Sequence, residues 1–233
     1  MKTPISLITV WFLSSIFSSC EKSDLCSPVS PKNDHAEFRK KDEKNKHLLE
    51  VGDHYEGGNI FFLDPSGKHG LIVASKIFDP AAWGCTGTLI NAGSNDGEVN
   101  TENILQLCNE SDIAARICTD FVVREKESKK DKDKKRAEKF DDWFLPSLEE
   151  IGKLTNSLHL LKDQVFAQSL GNKTVWTSSE GPAFFQALPF QPENRAWSSD
   201  IAMYNTSSGI RYANFPLPIG KSALRNVIAV RKF

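Results

Sequence analysis

The sequence lacks the short motifs that identify many enzyme classes. None of its histidines forms an HExxH zinc motif, and it has neither a Gly-x-Ser-x-Gly nucleophile elbow nor a glycine-rich phosphate loop. Its cysteines include no CxxC pair, which disfavours a thiol oxidoreductase and a zinc ribbon. We therefore expect a non-catalytic protein without a cofactor.

Excess charge and long apolar runs are missing as well. The formal net charge of −1 gives no reason to expect nucleic acid binding. After residue 20, no apolar stretch reaches the roughly 20 residues that a helix needs to cross a bilayer. Any contact with a membrane is therefore expected at the N-terminus.

The N-terminus has the features of an export signal that ends at Cys20. An uncharged run over residues 5–17 is too short to span a bilayer, which favours cleavage. With the two serines that follow, it resembles a bacterial lipoprotein signal over residues 1–19, in which the Cys20 thiol is lipidated and becomes the first mature residue. Phe17 is bulkier than the usual aliphatic residue at its position, so an ordinary secretory signal that is cleaved just before Cys20 is the alternative.

The rest of the chain divides by composition into a stalk and a domain. The lipidated Cys20 that the signal resemblance implies begins residues 20–50, which are polar, with balanced charges and few large apolar side chains. This composition predicts a flexible stalk. Residues 51–233 are long enough for one domain with a hydrophobic core. We expect the lipid to hold this domain in the cell envelope, as an outer-membrane lipoprotein on the periplasmic side or at the cell surface.

The first half of the domain combines a hairpin with helical spacing. Two strands are predicted at residues 57–62 and 70–74, because turn-forming residues separate them. Helical periodicity follows at residues 103–108 and 112–123. Residues 124–139 are highly charged and contain no large apolar side chain, which predicts a solvated helix extension or a disordered excursion.

The second half begins with a helix signal and ends in strands. Ser147 and Glu150 have the spacing of a capping box, and a short helix over residues 163–170 is predicted to end at Gly171. A long surface loop is expected over residues 181–194. Strands are predicted at residues 174–177, 196–204, 209–214 and 226–231. Helices followed by mostly antiparallel strands indicate an α+β domain.

Cysteine spacing suggests one disulfide but does not establish it. Cys85 and Cys108 enclose a loop with little apolar content, whose closure would stabilise the fold by about 3 kcal/mol. We expect this pair to be oxidised, although spacing alone does not define connectivity. Cys118 lies in a helical pattern and is expected to be a buried free thiol.

Seven sequence blocks carry a resemblance to a known family. They are Gly57-Gly58-x-Ile60-Phe61, His69-Gly70-Leu71-Ile72, Trp83-Gly84-Cys85, Ala114-Ala115-Arg116-x-Cys118-x-Asp120, Asp142-Trp143-x-Leu145-Pro146-Ser147-x-x-Glu150, Trp176-x-Ser178-Ser179-Glu180 and Ala229-Val230-Arg231-x-Phe233. In this order they resemble the C-terminal domain of the Legionella collagen-like adhesin, a family abundant in lipoproteins and surface proteins of Bacteroidetes-type bacteria. The resemblance covers nearly all of residues 51–233.

The resemblance implies a single C-type-lectin-like domain with a few helices and a mostly antiparallel, twisted sheet. It also implies glycan binding, since the adhesin's domain binds sulfated glycosaminoglycans. Two departures affect that expectation: the charged residues 124–139 replace a short turn, and Ile228 stands where an arginine is common. One block is also similar to formylglycine-generating enzymes, but their copper-binding cysteine pair has no counterpart after Cys118.

Five residues are candidates for ligand binding. Trp83 and Trp197 flank loops, where each either packs in the core or stacks on a sugar ring. The cations Arg195, Arg211 and Lys221 belong to the late strands and loops that face ligands in lectin-like folds, where each is either a ligand contact or a solvated surface residue.

A calcium site is the weakest of these expectations. Calcium-dependent lectins use a Glu-Pro-Asn or Gln-Pro-Asp triplet, and residues 191–194 match it only loosely. The sequence thus predicts a non-catalytic envelope lipoprotein that binds a glycan or a surface partner in an adhesion-type role. The alternative is a structural or assembly component of an envelope protein complex without a sugar ligand.

Overall fold

The computed structural model describes residues 48–93, 95–125, 138–180 and 194–233. The predicted signal peptide, Cys20 and nearly all of the stalk lie outside the described residues. The same is true of most of the charged segment 124–139 and of all but the last residue of the loop 181–194.

The described residues form an α+β fold around one large mixed sheet, as the sequence predicts. Its strand order is β1-β2-β3-β9-β6-β7-β8, and every neighbouring pair is antiparallel except β9 with β6. A separate two-stranded ribbon pairs β4 with β5. The strands are β1 His54–Tyr55, β2 Gly58–Leu63, β3 Gly70–Ala81, β4 Val123–Glu125, β5 Glu138–Phe140, β6 Lys173–Glu180, β7 Arg195–Thr206, β8 Gly209–Gly220 and β9 Arg225–Lys232.

Four α-helices and one 3₁₀ turn are present in the described residues. They are α1 Gly97–Leu107, α2 Ala114–Thr119, α3 Leu148–Ser157, the 3₁₀ turn Leu158–Leu160 and α4 Gln164–Leu170. Helix α1 begins six residues earlier than its apolar pattern suggests. Its first turns bury the polar side chains of Asn100 and Thr101, and Asp96 caps its N-terminus by accepting from Glu98 N at 3.0 Å.

The region after α2 does not continue as a helix. Val123 and Arg124 instead pair with Phe140 and Lys139 in the two-stranded ribbon, so the predicted helix extension is wrong at both ends of the charged segment. The apolar ends explain this pairing, because Val123 and Phe140 both pack closely around Gly57.

Helix α3 begins at the predicted capping box. Ser147 Oγ accepts from Glu150 N at 3.2 Å, and Glu150 Oε2 accepts from Ser147 N at 2.7 Å. Ser147 Oγ also donates to Asn95 O at 2.7 Å. A side chain at Gly97 would collide with the Glu150 carboxylate, so this glycine allows the starts of α1 and α3 to approach each other.

Helix α4 ends near the predicted position, but a different residue adopts the left-handed conformation. Asn172 has φ +65°, whereas Gly171 has φ −57°. A side chain at Gly171 would crowd Met203 Cβ at 3.0 Å and Tyr212 Cε1 at 3.1 Å. Close packing therefore explains Gly171, and asparagine supplies the positive φ after the helix.

Two core clusters lie against the sheet. One holds Trp83, Trp143 and Trp176, and the other packs α3 and α4 against the sheet through residues such as Ile151 and Leu170. Trp143 and Trp176 are buried, as expected. The clusters fix both ends of β7 and β8, the strands that carry three of the five ligand-binding candidates.

The structure contains the expected disulfide between Cys85 and Cys108. Cys108 is fully buried beside α2, so the bond attaches the loop that starts at Cys85 to the first core cluster. Cys118 is a buried free thiol, and burial raises its pKa. It is therefore a core residue and not a reactive one.

Candidate functional site

Trp83 is not available to a ligand. Its side chain is fully buried, and its indole Nε1 donates to Thr177 O at 2.9 Å. The prediction that Trp83 stacks on a sugar is therefore wrong. Packing in the core, the other interpretation of this residue, is what the structure has.

Lys221 is also buried, at 0% exposure, so its assignment to a ligand-facing surface is wrong. Its Nζ lies 2.5 Å from Glu180 Oε1, 2.7 Å from Thr88 O and 4.5 Å from the centre of the Trp83 ring. A buried ammonium needs such partners because removing it from water is costly. Lys221 is thus a structural cation.

Glu180 completes this buried network, and sequence reasoning did not assign it a role. Its carboxylate accepts from Ile90 N at 3.0 Å and from Asn91 N at 2.7 Å. The Glu180–Lys221 pair therefore holds the loop that follows Cys85 against the ends of β6 and β8. The only sequence signal was its position as the last residue of a family block.

The remaining three candidates do not form one site. Arg195 lies opposite Gly220 at the start of β7, whereas Arg211 lies opposite Tyr204 near the β7–β8 turn. Nine residues of strand separate these positions, which is about 30 Å. Trp197 is half-buried and lies on the side of β7 that carries Ile201. The structure therefore does not provide the predicted cationic patch.

The β7–β8 hairpin is regular from its base to its turn. Its twelve residue pairs run from Arg195 with Gly220 to Thr206 with Gly209 without a bulge. Side chains alternate between two faces in such a ladder. One face packs in the second core cluster through Ile201, Met203, Ile210 and Tyr212.

The opposite face is open to solvent beyond the first residues of β7. We call it the outer hairpin face, and it consists of Asp200, Ala202, Tyr204, Arg211, Ala213, Phe215 and Leu217. Its three large apolar side chains are exposed: Tyr204 at 48%, Phe215 at 55% and Leu217 at 47%. Exposed aromatic residues that share one rigid face are typical of binding surfaces.

The face also carries one charge of each sign. Asp200 accepts from Thr174 Oγ1, and Arg211 donates to Ile210 O at 3.0 Å and to Ser208 Oγ at 3.5 Å. A carboxylate offers about four acceptor positions and a guanidinium five donors, so both groups retain capacity for a ligand.

Two prolines protect the free edge of β8. Pro216 and Pro218 lie opposite Ser199 and Trp197. At these alternate positions of β8 the backbone N–H and C=O groups point away from β7. The two prolines therefore remove two N–H donors from the open edge. Addition of another strand is disfavoured there, whereas the outer face remains accessible.

A second concave region lies elsewhere, in a cleft of about 470 Å³ between the β2–β3 turn, the end of β9 and the starts of α1 and α3. Its charges largely satisfy one another, since Lys232 bonds to Asp96 at 2.8 Å and to Glu98 at 2.9 Å. Burial raises the pKa of Glu150, which also lines the cleft but serves the capping box. This cleft therefore presents few unmet groups to a ligand.

Among the described residues, three potential metal ligands converge at Cys85, Cys108 and Glu110. The two sulfur atoms are joined in the disulfide, which removes the thiolates that a metal requires. Of the loose calcium-lectin match at residues 191–194, only Asn194 is among the described residues.

No protein-family model and no curated protein matches this sequence. The resemblance to the adhesin family therefore rests on the ordered sequence blocks alone. None of the helices in the described part of the chain combines the length and apolar character needed to span a bilayer.

Proposed function

We propose that this chain is a non-catalytic binding protein of a bacterial cell envelope, tethered by a lipid on Cys20. Its C-type-lectin-like domain, of the adhesin type, holds a glycan on the outer hairpin face. The observation that carries this proposal is the cluster of Tyr204, Phe215 and Leu217, three exposed apolar side chains on one regular strand pair.

The architecture around the face supports binding. Ile201 and Tyr212 anchor the back of the hairpin in the core, so the front is presented without a large loss of entropy when a ligand arrives. The members of the face include no histidine, cysteine or serine that could act as nucleophile or base. A binding role therefore fits its side chains better than a catalytic one.

The proposal is tested with the double variant Tyr204→Ser/Phe215→Ser and the control Val165→Ser. Val165 is 79% exposed in α4, so its replacement removes an exposed apolar side chain outside the face. We expect wild type and control to bind members of a glycan array, and the double variant to lose that binding. Glycan binding that persists in the double variant would show that the face is not the site.

Envelope protein docking is the second candidate, because adjacent apolar side chains such as Phe215 and Leu217 also suit a protein surface. Affinity purification of the full-length protein distinguishes the two. One envelope protein that copurifies with wild type, and is lost in the double variant without any glycan binding, would favour the assembly role.

The anchor has its own test. Cys20→Ser removes the thiol that would receive the lipid, so the protein should move to a soluble fraction or persist as an uncleaved precursor. Membrane fractionation and N-terminal sequencing measure both outcomes. Unchanged membrane partitioning with a different mature N-terminus would contradict the lipoprotein assignment.

A further inference from the structure

The centre of the outer hairpin face carries two small side chains between longer ones, and we call the space above them the depression. Ala202 and Ala213 lie directly opposite each other and are both partly buried. The pairs on either side are larger: Tyr204 with Arg211, and Asp200 with Phe215. These flanking pairs are four residues apart along the strands, which is about 13 Å, so two methyl groups form a floor between two raised ends.

Each end of the depression combines an aromatic ring with a charged group. At one end Tyr204 is on β7 and Arg211 on β8, whereas at the other Asp200 is on β7 and Phe215 on β8. The two rings are therefore placed diagonally, and so are the two charges. A ligand on the alanine floor meets an aromatic surface and a hydrogen-bonding group at both of its ends.

A sugar ring has the matching chemistry. Its C–H groups are attracted to the negative face of an aromatic ring, and its hydroxyl groups both donate and accept hydrogen bonds. Asp200 supplies acceptors and Arg211 supplies donors, while the alanines leave room for the ring. Apolar surface with a few placed polar groups is the usual composition of a small-ligand site.

The charges of the face decide between glycan classes. Its members include one carboxylate, Asp200, and one guanidinium, Arg211, so the charge of the face sums to zero. Lys221 is buried, and Arg195 is about 30 Å away along the strand. Among the described residues of this face, a sulfated chain would meet one cation and would place its other charges near a carboxylate, which is unfavourable.

We propose that the outer hairpin face binds an uncharged glycan, with one sugar ring seated on Ala202 and Ala213 between Tyr204 and Phe215. This inference rests on the proposed function, since it specifies the ligand of the same face. It replaces the sulfated glycosaminoglycan implied by the adhesin resemblance with a neutral saccharide.

The test fills the space above Ala202 and Ala213 without replacing the flanking residues Tyr204 and Phe215. Ala213→Leu adds bulk on the solvent side of β8, and Asn205→Leu adds an exposed leucine to the other side of the same hairpin as a control. Neutral hexasaccharides of glucose, mannose and N-acetylglucosamine are titrated against each protein by calorimetry, with a heparin hexasaccharide for comparison.

We expect at least one neutral hexasaccharide to bind wild type and Asn205→Leu equally, and Ala213→Leu to bind it at least about tenfold more weakly. The affinity should not change with salt, because no ion pair with the ligand is involved. Thermal unfolding of Ala213→Leu should match wild type, which excludes a folding defect as the cause.

Other results separate the two proposals. Binding of heparin alone, or neutral binding that Ala213→Leu leaves intact, would overturn the neutral-glycan inference. If no saccharide binds but an envelope protein is retained by wild type and lost in Tyr204→Ser/Phe215→Ser, the ligand class is wrong while the face keeps its binding role. If that double variant keeps every ligand, the proposed function itself fails.

Discussion

Two cations that the sequence suggests for ligand binding lie in opposite environments. One lies near the base of the β7–β8 hairpin and the other on its outer face. Just beyond the base, Lys221 is buried against Glu180 and Trp83. On the outer face, Arg211 is partly exposed beside Tyr204. The comparison shows that strand position alone does not determine whether a cation is accessible to a ligand, because burial differs between the two residues.

The difference predicts where substitutions affect stability and where they affect binding. Side chains in the buried network hold the loop after Cys85, so their loss should unfold the domain more easily. None of the side chains of the outer face is fully buried, so their loss should change the free energy of unfolding much less.

The largest effect is expected for Lys221→Met. Methionine keeps most of the length but leaves the Glu180 carboxylate buried without its cation, which should lower the free energy of unfolding by about 3 kcal/mol or more. Denaturant unfolding measures the change. Lys173→Met, on the exposed start of β6, is the control and should be close to wild type.

The pair itself can be tested in the same experiment. Adding Glu180→Gln to Lys221→Met removes the uncompensated charge, so the double variant should be less destabilised than the sum of the single variants. Additive effects would indicate that the two side chains stabilise the loop independently, and the interpretation of a coupled buried pair would have to be abandoned.

Local signals predicted much of the fold. The capping box at Ser147, the hairpin turn before β3 and the alternation in the late strands each depend on near neighbours in sequence. The strands at residues 123–125 and 138–140 were not predicted, because they pair with each other across a long charged segment. The start of α1 was not predicted, because this part of the helix buries the polar residues Asn100 and Thr101, which do not contribute to an apolar periodicity.

The site was less predictable than the fold. Whether Trp83, Lys221 and Arg195 lie together in one site depends on strand register and on burial. Neither can be predicted from neighbouring residues in the sequence. Tyr204, Phe215 and the two alanines alternate as ordinary strand residues do. Only the register of the complete hairpin places them around one depression.

An intermediate effect is expected for Ser147→Ala. The hydroxyl accepts from Glu150 N and donates to Asn95 O, so alanine loses the helix cap and leaves a carbonyl without this partner. We expect the free energy of unfolding to fall by about 1–2 kcal/mol. Thermal unfolding measures it, with the exposed Ser208→Ala as control, and an unchanged melting temperature would contradict the cap.

The smallest effect on stability is expected for Arg211→Ala, on the open face. The free energy of unfolding at neutral pH should change by less than about 0.5 kcal/mol. Arg211 nevertheless has a measurable neighbour: burial first, and then the positive charge of Arg211, lower the pKa of His159 below its usual 6.5.

A histidine with a lowered pKa in the folded state binds fewer protons than in the unfolded state, so its contribution is favourable above pH 6.5 and is lost as the pH falls below that value. Arg211→Ala should raise the pKa of His159 and so reduce the loss of folding stability at acidic pH. NMR titration of the His159 ring measures the shift, and Arg195→Ala, at the far end of the hairpin, should leave it unchanged. An unaltered titration in Arg211→Ala would mean that the charge of Arg211 does not reach the helix side of the sheet.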